Sequence, residues 1–182
     1  MAALFAATAF GCGSTADLVY VIDVAPFDGV SGAAMTSIDT TAGVCVNDDG
    51  SVCKDERIGD HFARITVAND YEPDSDNPAF GRRIINGFEL TFISLGQGPE
   101  LPGTSDGVMR VVLEPGQDTV VTVILADSAV KSAVGGAAPE LYQANYPLTG
   151  PDSLKLNGAV TVSIGNYNSC EPGLFASPGG SC

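Results

Sequence analysis

The residues best placed to do chemistry are carboxylates. Asn69-Asp70-Tyr71-Glu72-Pro73-Asp74-Ser75-Asp76-Asn77-Pro78 puts Asp74 and Asp76 two apart, with Asp70 upstream. Calcium takes carboxylate and carbonyl oxygens from residues that alternate in this way. Asp70, Asp74 and Asp76 are therefore a candidate calcium set, and calcium is the one cofactor the chain suggests; a plainly solvated acidic loop is the alternative. Asn47, Asp48, Asp49, Asp55 and Glu56 form a second acidic run. Its spacing lacks the glycine and the closing glutamate of the full calcium-loop pattern.

Cysteine supplies the second kind of chemistry. Cys45-Val46-Asn47-Asp48-Asp49-Gly50-Ser51-Val52-Cys53 is symmetric about Asp49. A hairpin loop over Asp48-Asp49-Gly50, with Gly50 left-handed, sets Cys45 opposite Cys53. Opposed β-carbons in a hairpin lie about 4.5–5.5 Å apart, close enough for a disulfide after modest adjustment. With Cys12 set aside, Cys45, Cys53, Cys170 and Cys182 allow three pairings. Locality favours Cys45 with Cys53 and Cys170 with Cys182. Zinc is a poor fit, because no C-x-x-C spacing occurs and His61 is the single histidine.

Catalytic constellations do not assemble from this sequence, and the chain reads as a non-enzyme. His61 has no G-x-S-x-G element to serve. Carboxylate pairs carry little information among 22 acids, and no tryptophan is present to line a sugar cleft. Arg82-Arg83 beside Phe80 reads as a basic pair answering Asp74 and Asp76. Tyr142, Tyr146 and Tyr167 form either an aromatic contact strip or loop packing.

The formal charge is -14, from 22 acids against 8 bases. Nucleic acid is excluded as a partner, since that affinity rests on clustered Lys and Arg releasing counterions. Anionic lipid surfaces are repelled as well. Basic proteins and metal cations are the partners this charge attracts.

These residues must be positioned mainly by strands. Leu18 to Val24 is rich in β-branched and aromatic residues, with Pro26, Asp28 and Gly29 as stops. His61 to Ala68 alternates Ala63, Ile65 and Val67 with Arg64 and Thr66; Phe88, Leu90 and Phe92 alternate with Glu89 and Thr91. Val108 to Glu114 and Asp118 to Leu125 read as a hairpin turning at Pro115-Gly116, its apolar strands central and covered on both faces. Asn157 to Ile164 closes the series. Ser128 to Val134 is the one helical candidate, capped by Gly135-Gly136. About seven short strands in 182 residues, without αβ alternation, predict an all-β fold: a single antiparallel β-sandwich, immunoglobulin-like in architecture, with at most one short helix.

Leu4-Phe5-Ala6-Ala7-Thr8-Ala9-Phe10-Gly11-Cys12-Gly13-Ser14 resembles the end of a bacterial lipoprotein signal peptide. Ala9 and Gly11 match the small residues ahead of the cut, and the resemblance implies that Cys12 becomes the lipidated N-terminus. Residues 1–11 are then a signal-like apolar segment, 12–17 the lipidated cysteine and tether, and 18–182 the sandwich with a disulfide-stapled tail. The segment is too short to span a bilayer, which takes about 20 apolar residues. Gly13, which is not aspartate, favours the outer membrane by the same resemblance. The implied protein is exported: a non-catalytic cell-surface lipoprotein, structural or adhesive, whose partners are other surface proteins or glycans. Alternatively, residues 2–10 are kept, either as part of the fold or as a strand added to the next subunit of an extracellular filament or sheath. A calcium-dependent carbohydrate-binding module is a third reading. Peptide mapping without reduction should recover Cys45 linked to Cys53 and Cys170 linked to Cys182; a crossed pairing would show that the cysteines join distant segments.

Overall fold

The computed structural model describes residues 18–29, 31–40 and 60–167, together with strand backbone at 44–46 and 52–55. Within them the chain runs through β1 (Val19–Asp28), β2 (Ser37–Asp39), β3 (Val44–Val46), β4 (Val52–Asp55), β5 (His61–Asn69), β6 (Arg83–Ser94), β7 (Thr104–Leu113), β8 (Gln117–Ala126), α1 (Ser128–Val134), β9 (Glu140–Thr149) and β10 (Lys155–Gly165). A three-stranded sheet, β1-β5-β8, packs on a five-stranded sheet, β2-β10-β9-β6-β7. β3 and β4 pair separately as a ribbon. The fold is an all-β sandwich with one short helix.

The core fills the space between the sheets. Ile65 and Val67 of β5 and Val121, Val123 and Leu125 of β8 face Ile85, Leu90, Tyr142, Ala144, Tyr146, Val162 and Ile164 from the other sheet. Alternation produces this layer, because successive residues of a strand point to opposite faces. At the β1 flank the sheets close on each other through Gly158 of β10. A β-carbon there would stand 2.9 Å from Val24 Cγ2 and 3.5 Å from Val21 Cγ1, so only glycine admits β1 this close. β2 covers the same flank by running parallel to β10, from Ser37 opposite Ser163 to Asp39 opposite Gly165.

Three sequence expectations change. β7 and β8 do not form a hairpin: they belong to different sheets, each at an edge, and Pro115-Gly116 carries the chain from one sheet to the other. Gly116 adopts φ +70 in that crossing. The apolar runs read as buried on both faces are half exposed, with Val108 88% and Val120 57% accessible. Composition alone cannot separate a central strand from an edge strand whose outer face is apolar. The first strand also continues through Pro26 to Asp28, because β1 is an edge strand and Pro26 needs no donor there.

β9 was hidden for the opposite reason. Pro147 sits inside it, and Pro139 and Gly150-Pro151 flank it, so the segment reads as turns. Its ladder with β6 holds one register from Gly87 opposite Thr149 to Ser94 opposite Tyr142, but no pair forms opposite Glu89 and Leu90, where Pro147 has no N–H to give. Consequently Tyr142 and Tyr146 are core residues, not a contact strip. Tyr142 meets Phe92 edge-on at 6.4 Å, and its hydroxyl donates to Pro99 O at 3.3 Å. Tyr167 is partly buried beyond β10. The helix forms where expected: Asp127 accepts from the N–H groups of Ala129 and Val130, and Gly135, at φ 57, ends it.

Burial raises the Tyr146 phenol well above its ordinary pKa, so the folded state keeps a proton that the unfolded chain loses. This share of stability is intact below about pH 10 and falls at higher pH, by at most about 1.4 kcal/mol per unit. Tyr146→Phe should flatten that alkaline decline in urea titrations. It should leave neutral-pH stability nearly unchanged, because the lost contact to Ile124 O is long, at 3.4 Å.

Candidate functional site

The outer face of the three-stranded sheet, bordered by the β8 edge that has no strand partner among the described residues, gathers exposed apolar side chains. Tyr20 of β1, Ala68 of β5 and Asp118 of β8 make one row across it, and Asp23, Thr66 and Val120 the next. A bulge between Val21 and Asp23 leaves Ile22 outside the ladder and 51% exposed. Leu18 and Tyr20 are also exposed, so β1 and β8 both present apolar side chains to solvent. Phe27 stacks on Phe62 at 5.8 Å at the far end of the sheet, with the Arg64 guanidinium 4.0 Å over the Phe27 ring.

This face is held by the end of β5. The buried Asn69 amide donates to Gly81 O at 2.9 Å and Leu113 O at 3.0 Å, and its oxygen accepts from Tyr71 N at 3.3 Å. Its own carbonyl accepts from Gly116 N at 2.7 Å. The neighbouring Asp70 N donates to Leu18 O, which fixes the Asp70 carboxylate where the Tyr20 hydroxyl donates to it at 2.9 Å. That bond, and then the Asp70 charge, raise the Tyr20 phenol above its ordinary pKa, with Asp118 adding a smaller push. This end of the face is electronegative.

The structure does not gather Asp70, Asp74 and Asp76 into a ligand set. Asp70 serves Tyr20, whereas Asp74 Oδ1 accepts from the backbone N–H of Asp76 at 2.9 Å and of Asn77 at 3.3 Å, an Asx turn internal to the loop. Among the described residues no three His, Cys, Asp or Glu side chains stand where one metal ion could join them. The basic pair is placed differently as well. Arg82 Nε meets Glu114 at 3.0 Å, and Arg83 Nη2 donates to the Tyr71 hydroxyl at 3.0 Å, so the pair serves Glu114 and Tyr71 rather than Asp74 and Asp76. His61 is buried at the start of β5, with Nε2 at 3.7 Å from Asp28 Oδ2.

Cys45 and Cys53 lie on the β3-β4 ribbon. Its register pairs Val44 with Asp55, Cys45 with Lys54 and Val46 with Val52, so a bulge falls at Cys53. Two residues of a bulged strand face one of its partner. The backbone thus keeps Cys53 beside Cys45, displaced from the symmetric register the loop sequence suggested. Cys12, Cys170 and Cys182, and the loop Asp48-Asp49-Gly50, lie outside the described residues. Among the described residues no helix is long and apolar enough to cross a membrane.

Asn69 itself escaped sequence reasoning, which took Asn69-Asp70 only as the end of a strand. Its one signal is an amide at the last position of an alternating run, where the next inward-facing place would ordinarily be apolar. No known protein family, curated protein or solved structure matches the chain.

Asn69→Ala leaves two buried carbonyls without their donor and should lower unfolding free energy by roughly 2–4 kcal/mol in urea titration. Asp74→Ala, which loosens only an exposed turn, should cost less than about 1 kcal/mol.

Proposed function

We propose that this protein is an exported, non-catalytic contact module, held at the cell surface by lipid on Cys12, with a structural or adhesive role in the envelope. The observation that carries the contact role is the three-stranded sheet: among the described residues its β8 edge has no partner and its β1 edge only the bridge from Phe27 to Ala34, and its outer face exposes Leu18, Tyr20, Ile22 and Val120. Exposed apolar side chains beside an open strand edge suit protein contact. Polar groups beneath that face, such as Asn69 and Arg83, support loops. The lipid anchor is supported by the residues from Leu4 to Ser14.

Strand order supports an immunoglobulin-like reading of the sandwich. β1-β5-β8 corresponds to strands A-B-E of that architecture, and β10-β9-β6-β7 to G-F-C-C′, with β2 beside the last strand of the chain. Loops and edges, more than pockets, carry recognition in such sandwiches.

The tether from Gly13 to Asp17 reaches about 17 Å when extended. β1 leaves the tether at Val19, level with Asn69 and, across β5, with Gln117. The electronegative end of the contact face is therefore the end nearer the membrane in this reading. The filament or sheath subunit is the competing reading, favoured by the same open edge.

Intact mass with N-terminal peptide mapping of protein from native cells decides between them. We expect residues 1–11 to be absent and Cys12 to carry a diacyl or triacyl adduct. An unlipidated chain that keeps residues 2–11 would overturn the anchor and leave strand addition in its place.

A further inference from the structure

We propose that the edge of β8, which has no strand partner among the described residues, is a docking strand for an extended, net-basic segment of a partner protein, which joins the three-stranded sheet as a fourth strand. This rests on reading the protein as a contact module and names the chemistry of what it contacts.

Four strands end the two sheets, and three of them are protected. β1 carries Asp23 and Pro26, bulges at Ile22 and is bridged near its end by Ala34 opposite Phe27. β2 is three residues long. β7 has two register breaks against β6 and carries Asp106, Gly107 and Arg110. Short length, bulges and charges are the usual means of keeping an edge from pairing. β8 has none of them over most of its length. From Thr119 to Ala126 it contains no charge, proline or glycine, and its single register break lies at the Ala126 end. Val, Thr, Ile and Leu fill the run, the composition that best fits a pleated ladder.

An added strand would meet two environments. Val121, Val123 and Leu125 point into the core, so one set of its alternate side chains continues the core at the open flank. The other set lies beside Asp118, Val120 and Thr122, which are exposed. Backbone hydrogen bonds supply adhesion in such additions, and the alternate side chains supply selectivity.

Charge selects the occupant. Asp118 stands on the strand, Asp70 lies behind it with Tyr20, and Asp127 follows its end. The cation of this face, Arg64, lies over the Phe27 ring of β1, on the opposite side of β5 from β8. A second copy brings another -14 charges to the edge and is repelled. The stretch from residue 1 to 16 of a neighbouring copy has no charged side chain with which to answer this field. A basic strand gains from it at every approach.

The test uses the full chain and two ten-residue peptides, one alternating Val with Lys and Thr, the other with Glu in place of Lys. Calorimetry gives affinity and amide hydrogen exchange gives location. We expect the Lys peptide to bind at least about tenfold more tightly than the Glu peptide, weakening with salt. It should slow exchange in residues 117–126 and leave 104–113 unchanged. Val120→Lys with Thr122→Lys should weaken binding about tenfold through like-charge repulsion, without lowering Tm. Asp118→Asn gives a second, milder loss on an unaltered fold.

Equal binding of the two peptides, or protection confined to β7, would overturn the proposal. So would a concentration-dependent dimer that protects β8 without peptide, which gives the edge to a second copy. β8 protection that disappears on deleting residues 2–11 would give it to the chain's own leader. The lipid adduct on Cys12 is read by mass and does not depend on β8, so failure of the docking strand and failure of the surface anchor are separate results.

Discussion

A single buried amide joins the parts of this sandwich that meet at one end. Asn69 closes β5, and its side chain donates across to the loop before β6 at Gly81 and to the end of β7 at Leu113. Its carbonyl receives Gly116 from the crossing into β8. One residue thus links both sheets and two of the connections between them, β5 to β6 and β7 to β8. Buried carbonyls without donors are expensive, so the four groups satisfied here hold one another in place. Tyr71 packs beside this junction, with Gly81 against its ring and Arg83 on its hydroxyl. The acidic loop is thereby carried on a fixed base.

What the two flanks do follows from how each sheet ends. At the β1 flank Gly158 lets the sheets touch, β2 lies alongside β10, and β1 itself is interrupted by Pro26, a bulge and the bridge from Phe27 to Ala34. The β7–β8 flank has no such cover among the described residues. An apolar, unguarded edge like β8 would ordinarily invite association between identical chains. Here the strong negative charge of the whole molecule opposes that association. Charge and edge act together: the first discourages pairing between identical chains at the second.

Much of the fold was legible from alternation. The strand at His61 to Ala68, the alternation from Phe88 to Phe92, the last strand and the helix from Ser128 to Val134 all stand where periodicity and capping residues put them. The misplaced features share a cause. Pro147 made a central strand look like loop, and Val-rich stretches made two edge strands look central. Local sequence reports which conformation a segment tolerates, but not which neighbour it receives. Of the candidate site, the acids were visible and their use was not. Whether Asp74 faces an ion or its own loop depends on backbone geometry that spacing does not encode.

The sequence by itself determined the class of structure and the character of the surface. Period-two alternation and β-branched residues require sheets, and 22 acids against 8 bases require an electronegative exterior, whatever the topology. Tertiary structure alone decided that β7 and β8 part into separate sheets, that Tyr142 and Tyr146 fill the core and that Asn69 ties the junction. It also decided that the edge of β8 has no strand partner among the described residues. These are properties of pairing between segments far apart in the chain. Such pairing is fixed by the packing of whole faces against one another, and no local run of residues contains it.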